Sequence, residues 1–102
     1  MPGRVFRTPA ARADLREIAE YLGVENQSPI AAQRFLDEFE EKCVVYANQP
    51  RMGDPRTDLG EAIRSFTFKK TYIVINQPLE IGIEVIRVFH GARDYPRLFE
   101  SP

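Results

Sequence analysis

The chain has 102 residues, with 14 Lys and Arg against 15 Asp and Glu, one His, one Cys and no Trp. This length predicts a single domain over residues 1–102 with one modest hydrophobic core. A single cysteine excludes an intrachain disulfide, and with only one histidine beside it we expect no metal site and no cofactor. The net charge of −1 argues against a protein that binds nucleic acid chiefly through its phosphates.

The amino terminus shows no targeting pattern. It reads MPGRVFRTP, and no apolar run follows its charged residues. The apolar stretches of the chain are far shorter than the ~20 residues that a membrane-spanning helix needs. We therefore expect a cytoplasmic protein, and a lone thiol fits a reducing compartment.

The first elements in chain order are a short strand and a helix. Residues 5–6 predict the strand. Thr8-Pro9 then predicts a helix start, because the Thr hydroxyl can accept from a free N–H and Pro tolerates the first helical position. One apolar face follows at helical spacing, formed by Leu15, Ile18, Ala19 and Leu22. Gly23 is the predicted residue after the helix, in a left-handed conformation.

A second helix is predicted after Ser28-Pro29, which repeats the same start pattern. Its apolar stripe consists of Ala32, Phe35, Leu36, Phe39, Cys43 and Tyr46. Cys43 is therefore interpreted as a buried thiol, not a reactive one. The helix is predicted to end just before Pro50, because a residue that precedes Pro is disfavoured in helical conformation. The short connection between the two helices predicts an antiparallel hairpin.

The second half of the chain predicts antiparallel strands after a turn-rich segment at residues 50–62. The strands are predicted over residues 63–68, 72–76 and 83–89. Lys69-Lys70 and residues 77–80 are the predicted turns between them. The predicted order is β-α-α-β-β-β. This is an α+β fold in which a two-helix hairpin packs on one face of an antiparallel sheet.

Two alternatives stay open for Phe66 and Phe68, which share one side of their strand with Arg64. On the face of the sheet away from the helices, these residues would form an aromatic and cationic surface for a partner. On the other face the two rings would belong to the core, which is the arrangement that we favour.

The motifs, taken in order, resemble those of the ParE/RelE superfamily of type II toxins. They are Ala13-Asp14-Leu15 with Ile18 and Tyr21, Ala32 with Phe35, Pro50 with Gly53, Arg64-Ser65-Phe66, Tyr72-Ile73-Val74-Ile75, and IRVFHGARD at residues 86–94. The last motif is similar to the ending of the ParE branch, the plasmid-stabilisation toxins. The resemblance implies a RelE/ParE-like fold and a toxin that is neutralised by a partner antitoxin.

Three functions are compatible with this resemblance. ParE-type toxins poison DNA gyrase by trapping it on cleaved DNA and need no catalytic centre of their own. RelE-type toxins are ribosome-dependent endonucleases that cut mRNA without a metal ion. An inactive relative would bind only its antitoxin.

Metal-independent RNA cleavage needs a base, cations at the phosphate and an acid, all at one place. The candidates for an RNase are Arg64, Arg87, His90 and Tyr95. Arg87 and His90 lie three residues apart on one predicted strand, so their side chains point to opposite faces. The second helix is also acidic, which suits a ribosomal substrate poorly. The residues therefore favour the gyrase poison, without a catalytic centre.

We predict target contacts on the last strand and the tail, with Arg64 nearby. They are Arg87, His90, Arg93 and Tyr95. A structural role for His90, or for Arg93 paired with Asp94, stays open. The antitoxin is expected to lay an amphipathic segment over the helical hairpin and a sheet edge. Its predicted contacts are Leu22, Val24 and Ile30.

Overall fold

The computed structural model describes residues 3–25 and 27–91. Its elements in chain order are β1 (Arg4–Arg7), α1 (Pro9–Glu25), α2 (Pro29–Asn48), β2 (Asp54–Pro55), β3 (Arg64–Phe68), β4 (Tyr72–Leu79) and β5 (Gly82–His90). The predicted α+β class and the helical hairpin are confirmed. Neither described helix combines the length and the apolar character that crossing a membrane requires.

The five strands form one sheet in the order β1-β5-β4-β3-β2. The β3–β4 and β4–β5 pairs are antiparallel, as predicted, and β2 also pairs antiparallel with β3. β1 runs parallel to β5, which makes the sheet mixed. No short turn links β1 to β5, so the direction of that pair was not set by a hairpin. The backbone of β1 approaches the start of β5 so closely that a Cβ on Gly82 would lie 1.9 Å from the Arg4 carbonyl oxygen. Gly82 also has a φ of 154°, so both the space and the backbone conformation require glycine.

The core lies between the helical hairpin and one face of the sheet. Its fully buried members include Ala11 of α1, Phe39 and Cys43 of α2, Val74 of β4 and Val85 of β5. Phe66 and Phe68 also point into this core, each 4% exposed. Their core-facing alternative is therefore the correct one, and the aromatic surface on the opposite face does not form.

Both predicted helix starts are confirmed. The Ser28 hydroxyl accepts from the Ala31 N–H at 3.3 Å. The predicted end of α1 at Gly23 is wrong, because the helix continues to Glu25. Gln27 takes the left-handed conformation instead, with φ 48°. The N–H groups of Gln27 and Ser28 bond back to the carbonyls of Val24 and Gly23, so the last turn closes without a glycine at that position.

The strand boundaries differ from the prediction at two places. Residues 77–79 are not a turn, because β4 continues through Pro78 to Leu79 and pairs with the start of β5. Pro78 is tolerated since β3 pairs with β4 only as far as Asn76, so the missing N–H lies where no strand adjoins. The two-residue strand β2 was not predicted and pairs with Arg64 and Ser65.

Candidate functional site

The site is built at the end of β5, where an extra residue changes the direction of the side chains. Ile75 pairs with Arg87, but the next residue of β4, Asn76, pairs with Val85, so Ile86 is a β-bulge. Thr8 fixes this bulge. Its N–H donates to the Val85 carbonyl at 3.0 Å, and its hydroxyl donates to the Ile86 carbonyl at 2.7 Å.

Thr8 also caps α1, since its hydroxyl accepts from the Ala11 N–H at 3.0 Å. One side chain therefore joins the start of α1 to the bulge of β5. After the bulge, Val88 returns to the core and is 3% exposed. The bulge thus explains why core residues follow an interval of three between Val85 and Val88, where a regular strand would have two.

Asp14 of α1 binds the part of β5 beyond the bulge. Its carboxylate accepts from Nε and Nη2 of Arg87 at 2.8 and 3.0 Å. Its Oδ2 also accepts from the Val88 backbone N–H at 2.9 Å. The Arg87 guanidinium in addition lies 4.8 Å from the centre of the Phe89 ring. Arg87 is therefore held by a charged pair and an aromatic ring, with 39% of its side chain exposed.

His90 points to the other face of the sheet. Its ring lies edge-on to Tyr72, with 5.5 Å between ring centres, and Tyr72 belongs to the core that the helices cover. His90, Tyr72, Ile18 and Tyr21 line a cleft of about 280 Å³ between α1 and the end of the sheet. The opposite placement of Arg87 and His90 agrees with the prediction from their spacing.

Arg64 of β3 is separated from β5 by β4, and its side chain binds a loop. Its Nη1 donates to the carbonyls of Arg51 at 2.9 Å and Gly53 at 2.6 Å. It is level with Asn76 of β4, whereas His90 is level with Tyr72, four residues along the same strand. Four residues of strand correspond to about 13 Å. Arg64 therefore does not converge with His90. Arg87 pairs with Ile75, next to Asn76, so it is nearly level with Arg64 but points to the other face of the sheet.

The sheet face turned away from the helices is mainly apolar around β4. Ile73 and Ile75 alternate with the core residues of β4 and so lie on this face. Ile73 pairs with Phe89, and Ile75 pairs with Arg87. On β4 and the end of β5, this face therefore presents Ile73, Ile75 and Phe89 beside Arg87.

The end of the helical hairpin is a second exposed apolar area. Val24 is 75% exposed, Ile30 69% and Tyr21 56%. Leu22 is only partly exposed, because it packs against the core. Of the three predicted antitoxin contacts, Val24 and Ile30 are therefore open to a partner and Leu22 mostly supports the fold. Tyr21 was not among the predicted contacts and adjoins this area.

The thiol and carboxylate groups of the described chain do not form a metal site. Among residues 3–25 and 27–91, no group of three or more His, Cys, Asp or Glu side chains is placed to hold a metal ion. Cys43 is completely buried. Burial raises the pKa of its thiol to about 12, and the positive charge of Arg7 offsets only part of this shift.

Comparison with known proteins identifies the family. Residues 5–95 match the family model described as ParE toxin of type II toxin-antitoxin system, parDE. The chain belongs to this family. The protein is therefore a ParE-type toxin of a type II toxin-antitoxin system, as the resemblance of its motifs predicted.

The fold of the toxin is also that of a solved relative. A chain described as a chromosomal ParDE TA system from P. aeruginosa superposes with a TM-score of 0.67 and 20% sequence identity. The likeness covers 87% of the toxin and 96% of that chain. At this identity the match concerns the fold alone. A comparison with curated proteins found no match to this sequence.

The structure brings together only part of the predicted site of the toxin. Arg87 and His90 lie at the same end of β5 on opposite faces, and Arg64 lies elsewhere. Arg93 and Tyr95 lie outside the described residues. Asp14 was missed as a site residue, although its motif supported the resemblance, because its partner Arg87 is 73 residues away in the sequence. The sequence held one sign of this role, because Asp14 is a carboxylate on the otherwise apolar face of α1 that carries Ala11, Leu15 and Ile18.

Proposed function

We propose that this toxin acts by protein contact on DNA gyrase and stabilises the complex of gyrase with cleaved DNA. It needs no catalytic centre for this activity. The toxin would act in the cytoplasm, where gyrase meets DNA. Membership of the ParE family supports the proposal at the level of the family, and the geometry of the toxin supports it at the level of the residues.

The placement of the three described candidate catalysts carries the proposal. RNA cleavage requires base, acid and cation around one phosphate. His90 lies in the cleft beside Tyr72. Arg87 points to the opposite face of the sheet and is bound to Asp14. The Arg64 guanidinium donates hydrogen bonds to the carbonyls of Arg51 and Gly53. These three side chains cannot meet at one phosphate without rebuilding the sheet, so a binding function fits them better than an RNase.

The end of β5 is the proposed contact surface for gyrase. Arg87 remains 39% exposed although Asp14 holds it. His90 is partly exposed at the mouth of the cleft. Arg93 and Tyr95 follow within five residues of His90 in the sequence and complete the proposed set of contact residues.

The exposed end of the hairpin is the proposed surface for the antitoxin. Val24, Ile30 and Tyr21 offer apolar area to an amphipathic segment. Such an area on a small protein is typical of a place that a partner covers. The solved relative is described as part of a ParDE TA system, which supports an antitoxin as that partner.

The proposal is tested by expressing the toxin in cells without its antitoxin. We expect growth arrest with gyrase-linked DNA breaks and intact mRNA. Substitutions Arg87→Gln and His90→Gln should reduce the arrest, whereas Arg51→Gln, at an exposed arginine of the loop, should not. Growth arrest with mRNA cut on ribosomes and no DNA breaks would overturn the proposal in favour of an endonuclease. Absence of arrest would favour an inactive, antitoxin-binding relative.

A further inference from the structure

The last part of β5 lacks a strand neighbour on one side. β1 accompanies β5 only from Gly82 to Val85, and the chain then turns into α1 through Thr8. Beyond that point the edge of β5 faces α1, not another strand. An open strand edge presents backbone donors and acceptors that no neighbouring strand pairs.

Asp14 supplies the missing neighbour. It lies on α1 six residues after Thr8, and its carboxylate accepts from the Val88 N–H at the place where a strand would pair. The same carboxylate binds Arg87 through two nitrogens in a parallel, two-bond geometry. Hydrogen bonds between ionised groups with this geometry are stronger and more directional than neutral ones. The backbone and the side chain of this segment are thus fixed by one group.

Asp14 and Arg87 differ in exposure, and this difference indicates which of them a partner protein can contact. The Asp14 side chain is only 14% exposed, whereas that of Arg87 is 39% exposed. A large partner can therefore reach Arg87 but has little access to Asp14. The Phe89 ring supports the guanidinium from a second direction. Arg87 is held in one orientation before any partner arrives, which reduces the conformational entropy lost on binding.

We propose that Asp14 is a positioning residue for the target-contacting end of β5 and acts through Arg87. This inference rests on the proposed function, because it takes the end of β5 as the contact surface. Asp14 itself does not touch the target. Removing its charge leaves Arg87 chemically intact but breaks the two-bond pair, so that the guanidinium can change rotamer. Removing both carboxylate oxygens also releases the Val88 amide.

The test is a double-mutant cycle with Asp14→Asn and Arg87→Gln, read as inhibition of gyrase supercoiling by the purified toxin. Each single variant should weaken inhibition about tenfold. The double variant should be no weaker than Arg87→Gln alone, because Asp14 acts through Arg87. Asp37→Asn makes the same change at an exposed helix position and should leave inhibition unchanged.

A second measurement separates positioning from general damage to the fold. Affinity for the cognate antitoxin should change less than twofold in Asp14→Asn, since the proposed antitoxin surface lies at the hairpin end. In Asp14→Ala, which removes both acceptor oxygens, exchange of the Val88 amide proton should become at least tenfold faster. Equal losses of antitoxin affinity and of gyrase inhibition would overturn the positioning role, as would additive effects in the double variant.

The same cycle is run on growth arrest in cells, which does not presuppose the target. Wild-type toxin that arrests growth but leaves gyrase untouched would overturn the proposed function. A non-additive cycle on growth arrest would then still support Asp14 as a positioning residue, and an unaffected Asp14→Asn variant would overturn it. Wild-type toxin that is inactive in both assays would overturn both.

Discussion

Cys43 is a residue at which burial controls ionisation. Its thiol has no exposed surface, and burial raises its pKa from the ordinary value of 9.0 to about 12. Folding therefore favours the neutral thiol. The stability gained this way is fully present below pH 9 and is lost as the pH rises from 9 towards 12, because the unfolded chain releases its proton first.

We predict that replacing Cys43 with Ala makes the unfolding free energy less dependent on pH above 9. The difference in slope should approach about 1.4 kcal/mol per pH unit. Urea denaturation at several pH values between 7 and 10.5 measures this slope for both proteins. Parallel curves for the two proteins would show that the thiol ionises equally in the folded and unfolded states, contrary to the burial argument.

Residue-level contacts across the fold were the least predictable feature. Cys43 could be placed in the core, because its neighbours repeat at helical spacing. The Asp14 contact to Arg87 could not be predicted, because it depends on the bulge at Ile86 and on where α1 crosses the edge of β5. Neither feature leaves a periodic signal in the sequence.

Thr8 has one role that could be predicted from the sequence and one that could not. Its role as a helix cap was predictable from Thr8-Pro9, since capping is local. Its second bond, to the Ile86 carbonyl 78 residues away, was not. Predictions from residue type alone also ended α1 at Gly23 and placed a turn at Pro78, where the structure continues α1 and β4. At both positions the neighbouring chain, not the residue type, decides the outcome.

We predict that Thr8→Val destabilises the toxin by about 1 to 3 kcal/mol, because it removes a helix cap and leaves the bulge carbonyl without its donor while keeping the shape of the side chain. Urea denaturation measures this loss. Thr67→Val, at an exposed position of β3, is the matched control and should change stability by less than about 0.5 kcal/mol. Equal effects of the two substitutions would contradict the role of Thr8.

The helical hairpin makes a separate prediction for the antitoxin. Replacing Val24 and Ile30 with Gln should weaken antitoxin binding at least tenfold, or by about 1.4 kcal/mol, and leave the thermal midpoint nearly unchanged. Val45→Gln is the control, because Val45 is an exposed valine of α2 away from the hairpin end. Titration calorimetry with each variant measures the affinity. Unchanged affinity in the Val24 and Ile30 variant would place the antitoxin elsewhere.

At the scale of the whole molecule, the fold places the two proposed surfaces on different elements. The proposed antitoxin surface is the end of the α1–α2 hairpin, and the proposed target surface is the end of β5. The cleft of Ile18, Tyr21, Tyr72 and His90 lies between them. The fold class, and the element order apart from the two-residue strand β2, could be predicted from hydrophobic periodicity and turn residues. The parallel pairing of β1 could not, because no hairpin sets its direction.

The most direct measurement is a DNA gyrase supercoiling reaction with the purified toxin, resolved for linear cleaved DNA. We predict that linear DNA accumulates with added toxin, that it requires gyrase, and that added antitoxin abolishes it. The control reaction contains toxin and DNA without gyrase and should stay uncleaved. Gyrase that supercoils normally and leaves no cleaved DNA, in the presence of toxin that still arrests growth in cells, would contradict the account.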